Sequence, residues 1–101
     1  MRLGVVIGRV TLGKTAAGLE GARWLIVSPY TREQYHSGKP PPSGAGKEAT
    51  LVVYDDLGGD AGQTIGFVEG REASAPFDQP TPIDAINAAL VDRVYFHPFS
   101  I

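Results

Sequence analysis

Short runs of aliphatic and β-branched residues, broken every few positions by glycine, proline or aspartate, are the feature that most limits what this chain can become. Residues 3–10 form such a run with Gly4 and Gly8 inside it, which suits a strand that bends or lies close to another backbone. Gly13, Gly18 and Gly21 punctuate a short connection to a second run, residues 22–27, stopped by Pro29, and the two read as a hairpin. Residues 49–54 and 63–68 read as a third and a fourth strand on either side of the turn-like segment 55–62. Thr81 as N-cap, Pro82 at the first helical position and Asp84 facing the orphan amides make a helix start. Ile83, Ile86 and Leu90 then share one face, predicting a short helix over about 82–91, after which residues 93–96 resume a strand pattern. Five strands and one helix without strand-helix alternation exclude a doubly wound parallel sheet. They predict a mainly β fold, a small five-stranded OB-like β-barrel with one short α-helix.

With 101 residues there is no room for a second independent core, so one domain over 1–101 is expected, carrying a Pro/Gly-rich surface loop at about 30–47 around Pro40, Pro41 and Pro42. At 43% hydrophobic and 20% charged residues the composition is that of an ordinary globular chain. No apolar run approaches the ~18 residues of a helical span, so no membrane partner is expected. The absence of cysteine removes disulfide frameworks, thiolate metal sites and cysteine nucleophiles, and makes the cytoplasm the natural compartment. The N-terminal apolar stretch is broken by Arg9 and leads to no small-residue cleavage site, so no removed leader is expected. A net charge of -2, with nine Lys and Arg scattered singly between Arg2 and Arg93, offers no basic stripe for nucleic acid. A domain this small leaves much of its surface exposed, and added burial through oligomerisation is expected on size alone.

Residues 8–15, Gly8 through Gly13, Lys14 and Thr15, satisfy the phosphate-loop pattern G-x-x-x-x-G-K-[ST] and follow a predicted strand. A working phosphate loop must open a helix whose amides hold the phosphates, yet the next six residues carry Gly18 and Gly21 and run on to Trp24. The pattern therefore reads as strand and turn. Gly58, Gly59 and Gly62 have the makings of an amide nest for an anion, but Asp55, Asp56 and Asp60 place negative charge where the anion belongs, and a plain turn is preferred. The same acids lack the alternate spacing and closing glutamate of a calcium loop. His36 and His97 have no ligand-spaced His, Asp or Glu beside them, and Ser37, Ser43, Ser74 and Ser100 lack nucleophile-elbow glycines. No catalytic residue, metal ligand or cofactor site is expected. Tyr30, Tyr35, Tyr54, Phe67 and Tyr95 are stacking candidates on an OB surface, but without a basic groove they read as core or subunit-contact residues.

The order of residues resembles the EutN/CcmL family of bacterial microcompartment vertex proteins. That family opens with a strand of the form G-x-V, a lysine-containing turn, L-x-G and an aliphatic strand, matched here by Gly8, Val10, Lys14, Leu19, Gly21 and residues 25–27. Its D-x-V-G-A-G-x-G-E segment is echoed by residues 55–63, and its P-V-D-A-A-V-V-G-I-V-D segment more specifically by residues 82–92. The resemblance spans residues 1 to about 96, with the Pro-rich loop the least family-like part. The departures bear on pore chemistry and not on the fold. Asp60 stands for a glycine, Gln63 for a glutamate, and residues 70–74 replace a Gly-Ser-rich stretch that usually ends in arginine.

The resemblance implies an OB-like barrel that forms a homopentamer and caps the vertices of an icosahedral shell in the bacterial cytoplasm. It implies hexameric shell proteins as partners and no enzyme activity. Gly58, Gly59, Asp60, Gly62, Gly70 and Arg71 are then the subunit-contact or pore-proximal candidates, because short glycine-rich backbone permits close approach. The competing class is an OB-type module that binds single-stranded nucleic acid or another small ligand. A phosphate-loop binder must melt at higher temperature with nucleotide and lose that shift on Lys14→Ala, whereas the shell reading predicts no shift in either protein; thermal melts with and without nucleotide decide.

Overall fold

The computed structural model describes residues 1–31, 35 and 50–95. Five strands, β1 (Arg2–Val10), β2 (Arg23–Pro29), β3 (Leu51–Asp55), β4 (Thr64–Glu69) and β5 (Ala85–Leu90), close into a barrel in the order β1-β2-β3-β5-β4. β1 pairs antiparallel with β2, from Gly4 opposite Pro29 to Val10 opposite Trp24, and its first half also pairs antiparallel with β4. β2 continues antiparallel into β3, from Arg23 opposite Asp55 to Val27 opposite Leu51. β5 fills the remaining gap, antiparallel to β4 and parallel to β3 at Tyr54 and Ile86. The expected five-stranded barrel is the observed one.

Short strands form a closed barrel only by coiling, and two irregularities supply the bend: the register shifts between Val6 and Gly8 on β1 and between Gly66 and Phe67 on β4. Val6, Leu25, Val27, Val53, Ile65, Phe67 and Ala85 fill the interior. Gly4 is where the walls come closest, since a Cβ there would lie 2.5 Å from Val27 Cγ1 and 3.0 Å from the Ser28 carbonyl oxygen. Outside the wall, Trp24 meets Tyr54 edge-on at 5.6 Å, and Tyr54 meets Phe77 at 5.1 Å. That aromatic row lays the segment after β4 along the barrel.

The helix expected over about 82–91 is a strand instead. Thr81 does not cap; its hydroxyl donates to the Gln79 carbonyl and its own carbonyl accepts from the Ile83 amide. Alanine-rich sequence favours a helix by only tenths of a kcal/mol per residue, whereas β3 and β4 would each keep an unpaired edge without β5. Burial of Ala85, Ile86 and Asn87 completes the override. The strand expected at 93–96 is absent from 91–95, which carry no regular structure, and Phe96 lies outside the described residues. A five-residue 3₁₀ turn, Gly70–Ser74, takes the helical role. Of the expected loop at about 30–47, the structure describes Tyr30, Thr31 and Tyr35. The Tyr30 amide donates to the Leu3 carbonyl, its hydroxyl pairs with Thr64 Oγ1 at 3.0 Å, and its ring meets that of Tyr35 at 5.1 Å.

Gly4→Ala should lower stability by about 1–3 kcal/mol through overpacking. Gly13→Ala, where nothing lies within 4 Å of the added carbon, should stay within about 0.5 kcal/mol of the parent. Urea denaturation of both variants checks the contrast.

Candidate functional site: the glycine-rich turn at one end of the barrel

β3 ends on Asp55 because the following Asp56, Leu57, Gly58 and Gly59 turn back across the barrel mouth. Asp55 is 1% exposed, so its charge must be met by donors, and it is. Oδ1 accepts from the Leu57 amide at 3.0 Å and from Asn87 Nδ2 at 2.9 Å. Oδ2 accepts from the Gly59 amide at 2.9 Å and from Arg23 Nε at 3.2 Å. Arg23 also donates through Nη2 to the Gly59 carbonyl at 2.8 Å, so both polar groups of that peptide residue are held. One carboxylate thereby ties the turn to β2 through Arg23 and to β5 through Asn87.

Gly59 is buried with its Cα against β2 and β5; a Cβ there would lie 2.9 Å from Leu25 Cδ1 and 3.3 Å from Asn87 Nδ2. Gly58 and Gly62 are exposed, with φ of +82° and +89° that side chains rarely adopt, and face open space. The exposed Asp60 closes the second half of the turn: its amide donates to Gln63 Oε1 at 2.7 Å and its Oδ1 accepts from the Ala61 amide at 2.8 Å. The Gly62 amide then donates to the Val6 carbonyl, and Val6 returns a bond to the Gln63 carbonyl. Beside this turn Leu57 and Leu90 are 45% and 43% exposed.

The remaining candidates lie elsewhere. Gly70, at φ +79°, and the exposed Arg71 open the 3₁₀ turn beyond the far end of β4, and the Gly70 amide donates to the Asp84 carbonyl. The six residues of β4 between the two groups span about 20 Å, so they occupy opposite ends of the barrel. At that second end Arg2 pairs with Glu69 at 2.9 Å, lies over the Phe67 ring at 5.7 Å and borders an open cleft of about 420 Å³ with Met1, Val68 and Glu72.

Residues 8–10 of the phosphate-loop look-alike belong to β1, paired with Ile26, Leu25 and Trp24, and no helix follows at 11–22. No three His, Asp or Glu converge as a metal cluster among the described residues. No helix among them is long and apolar enough to cross a membrane. His36, His97, Ser37, Ser43 and Ser100 lie outside the described residues, and the Ser74 hydroxyl donates to the Arg71 carbonyl. Of the aromatic candidates, Phe67 is core, Tyr54 joins the outer aromatic row and Tyr95 is 76% exposed.

Asp55, Arg23 and Asn87 are the residues that motif reasoning passes over. In the sequence Asp55 is one of three acids beside glycines, Arg23 is a strand residue, and Asn87 sits in the apparent helix. The legible signal is an aspartate two and four residues before Leu57 and Gly59, the spacing at which its side chain bonds following amides.

A family model described as ethanolamine utilisation protein EutN/carboxysome matches residues 1–92. The pentameric microcompartment shell protein GrpN from Rhodospirillum rubrum is similar at 28% identity and a TM-score of 0.74, covering 95% of this chain and 100% of that one. The ethanolamine utilisation protein EutN from Escherichia coli is similar at 24% identity and a TM-score of 0.72, covering 95% and 89%. CcmL of Gloeobacter violaceus shares the fold at 22% identity and a TM-score of 0.76, covering 95% and 90%. A comparison with curated proteins finds no significant match.

Burial pushes the Asp55 carboxyl up, but the bonds from Asn87, Leu57, Gly59 and Arg23 together outweigh it and hold the group below its ordinary value of 3.8. A lowered native value means that the carboxylate's stabilising contribution is complete above the ordinary value and is lost as pH falls below it. Asp55→Asn should cost about 2–4 kcal/mol at neutral pH. That deficit should narrow below about pH 4 as the parent loses its charge, which urea titrations at pH 7 and pH 3 will show.

Proposed function

The chain belongs to the EutN/CcmL family, and on that premise we propose that five copies close a ring that caps a vertex of an icosahedral bacterial microcompartment shell. The family is one of structural shell proteins rather than enzymes. The observation that carries the reading is the end-to-end match to a pentameric shell protein at 28% identity, covering the whole of that chain. The compartment is the bacterial cytoplasm, and hexameric shell proteins are the neighbours proposed around the ring.

A cyclic ring uses a heterologous interface, in which one surface of each subunit meets a different surface of the next. The barrel offers two such surfaces at opposite ends of β4. Gly58, Asp60 and Gly62 form one with the exposed Leu57 and Leu90 over the buried Gly59, and Gly70 and Arg71 form the other. We assign the first to subunit contact, because two large exposed apolar side chains lie beside the bare backbone of Gly58 and Gly62. Gly70 and Arg71 are assigned to the second surface, facing the next subunit or the ring axis.

Native mass spectrometry of the purified protein should show the mass of five chains without ligand. A valine at Gly58 or Gly62 strains the turn itself because φ is positive at both. Leu57→Glu with Leu90→Glu leaves the backbone alone, and it should yield folded single chains. A parent protein that runs as a single chain, or that retains an oligonucleotide in a salt-dependent way, overturns the reading.

A further inference from the structure

Resting on that assembly reading, we propose that Asp55 is a positioning residue for ring formation: it fixes the path of the turn at 57–62, and with it the place where Leu57 meets the neighbouring subunit. The turn has two unlike halves. Gly59 is gripped on its amide by Asp55 and on its carbonyl by Arg23, and an added Cβ there would press on the ends of the Leu25 and Asn87 side chains. Leu57 and Gly58, two residues and one residue earlier, are exposed, and nothing lies within 4 Å of where a Gly58 side chain would begin. An inner face anchored by a buried charge and an outer face left bare is how a loop is presented in one shape to something outside the chain.

The anchor cannot drift. Asp55 ends a ladder strand opposite Arg23, so the backbone of both partners is set by the β2–β3 pairing, and Asn87 approaches from β5 on the other side. An ion pair with one buried member is a weak source of net stability, because desolvation offsets the attraction, and its best-attested use is to select one arrangement. Two barrel strands, β2 and β5, and the turn converge on the two carboxylate oxygens that β3 presents, so displacing either oxygen shifts the turn while the remaining ladder bonds keep the barrel closed.

The test compares the parent with Asp55→Asn, Arg23→Gln and Arg23→Lys by native mass spectrometry over a dilution series, with near-ultraviolet circular dichroism of Trp24. That residue is the only tryptophan and packs against Tyr54 in the same wall, so its signal reports barrel integrity. Arg23→Gln should keep the Trp24 signal, while its ring dissociates at a protein concentration about tenfold higher or more. Arg23→Lys should not rescue it, since an ammonium lacks the fork that reaches Asp55 and the Gly59 carbonyl together. Asp55→Asn, which puts a donor against the Gly59 amide and Arg23, should be weaker still. Should Asp55→Asn fail to fold, Arg23→Gln decides alone. Folded variants with parental ring dissociation overturn the positioning role and leave the assembly reading intact. Loss of the Trp24 signal in both variants reduces Asp55 to a fold-holding residue and overturns it as well. A parent that never forms a ring overturns both.

Discussion

Every other feature of this structure depends on β5 being a strand. A sheet of five short strands has two edges, each a row of unpaired backbone donors and acceptors, and closing it on itself removes both. β5 does this by reaching β4 on one side and β3 on the other, and the Val91 amide extends the contact to the Thr64 carbonyl. Closure encloses Phe67, Ile65, Leu25 and Val53, and it also carries Asn87 to the barrel mouth beside Asp55. The polar anchor of the turn is therefore a product of barrel closure and has no counterpart in any local segment.

The two ends of the barrel are built on different physics. At one end a buried carboxylate collects donors from β2, β5 and the turn, while open space lies where side chains at Gly58 and Gly62 would begin. At the other end the pairing is exposed, with Arg2 and Glu69 about half accessible and contributing little in water. The aromatic row from Trp24 through Tyr54 to Phe77, next in the ladder to the Arg23 and Asp55 pair, holds the segment after β4 against the barrel by area rather than charge. A subunit of a heterologous ring needs surfaces that differ in this way, since identical ends would make a contact that pairs two copies and stops.

The first four strands are legible in the sequence because each is a contiguous β-branched run between Gly, Pro or Asp breakers, and the observed bounds differ from the expected ones by one or two residues. The strand-and-turn reading of the phosphate-loop look-alike is also legible from local chemistry, since glycines at 18 and 21 oppose a helix and residues 8–10 lie in β1. The fifth strand is not legible. Ala85, Ala88 and Ala89 after a Thr-Pro-Ile-Asp start satisfy every local rule for a helix, and only the vacancy between β3 and β4 outweighs them. The candidate turn is half legible: its glycines announce a tight turn, but which glycine is buried and which is bare depends on Leu25 and Asn87, thirty or so positions away.

The sequence by itself thus determines a β-rich fold of short bent strands, a glycine-rich turn after β3, and a family order that points to shell assembly. Those properties rest on backbone conformation and nearest neighbours, which local residue types control directly. Tertiary structure decides that residues 85–90 are a strand, that Asp55 rather than its two acidic neighbours is the buried anchor, and that the two glycine-bearing segments face away from each other. These follow from closing the sheet, because hydrogen-bond partners and burial are settled by residues distant in sequence that meet only when the barrel is complete.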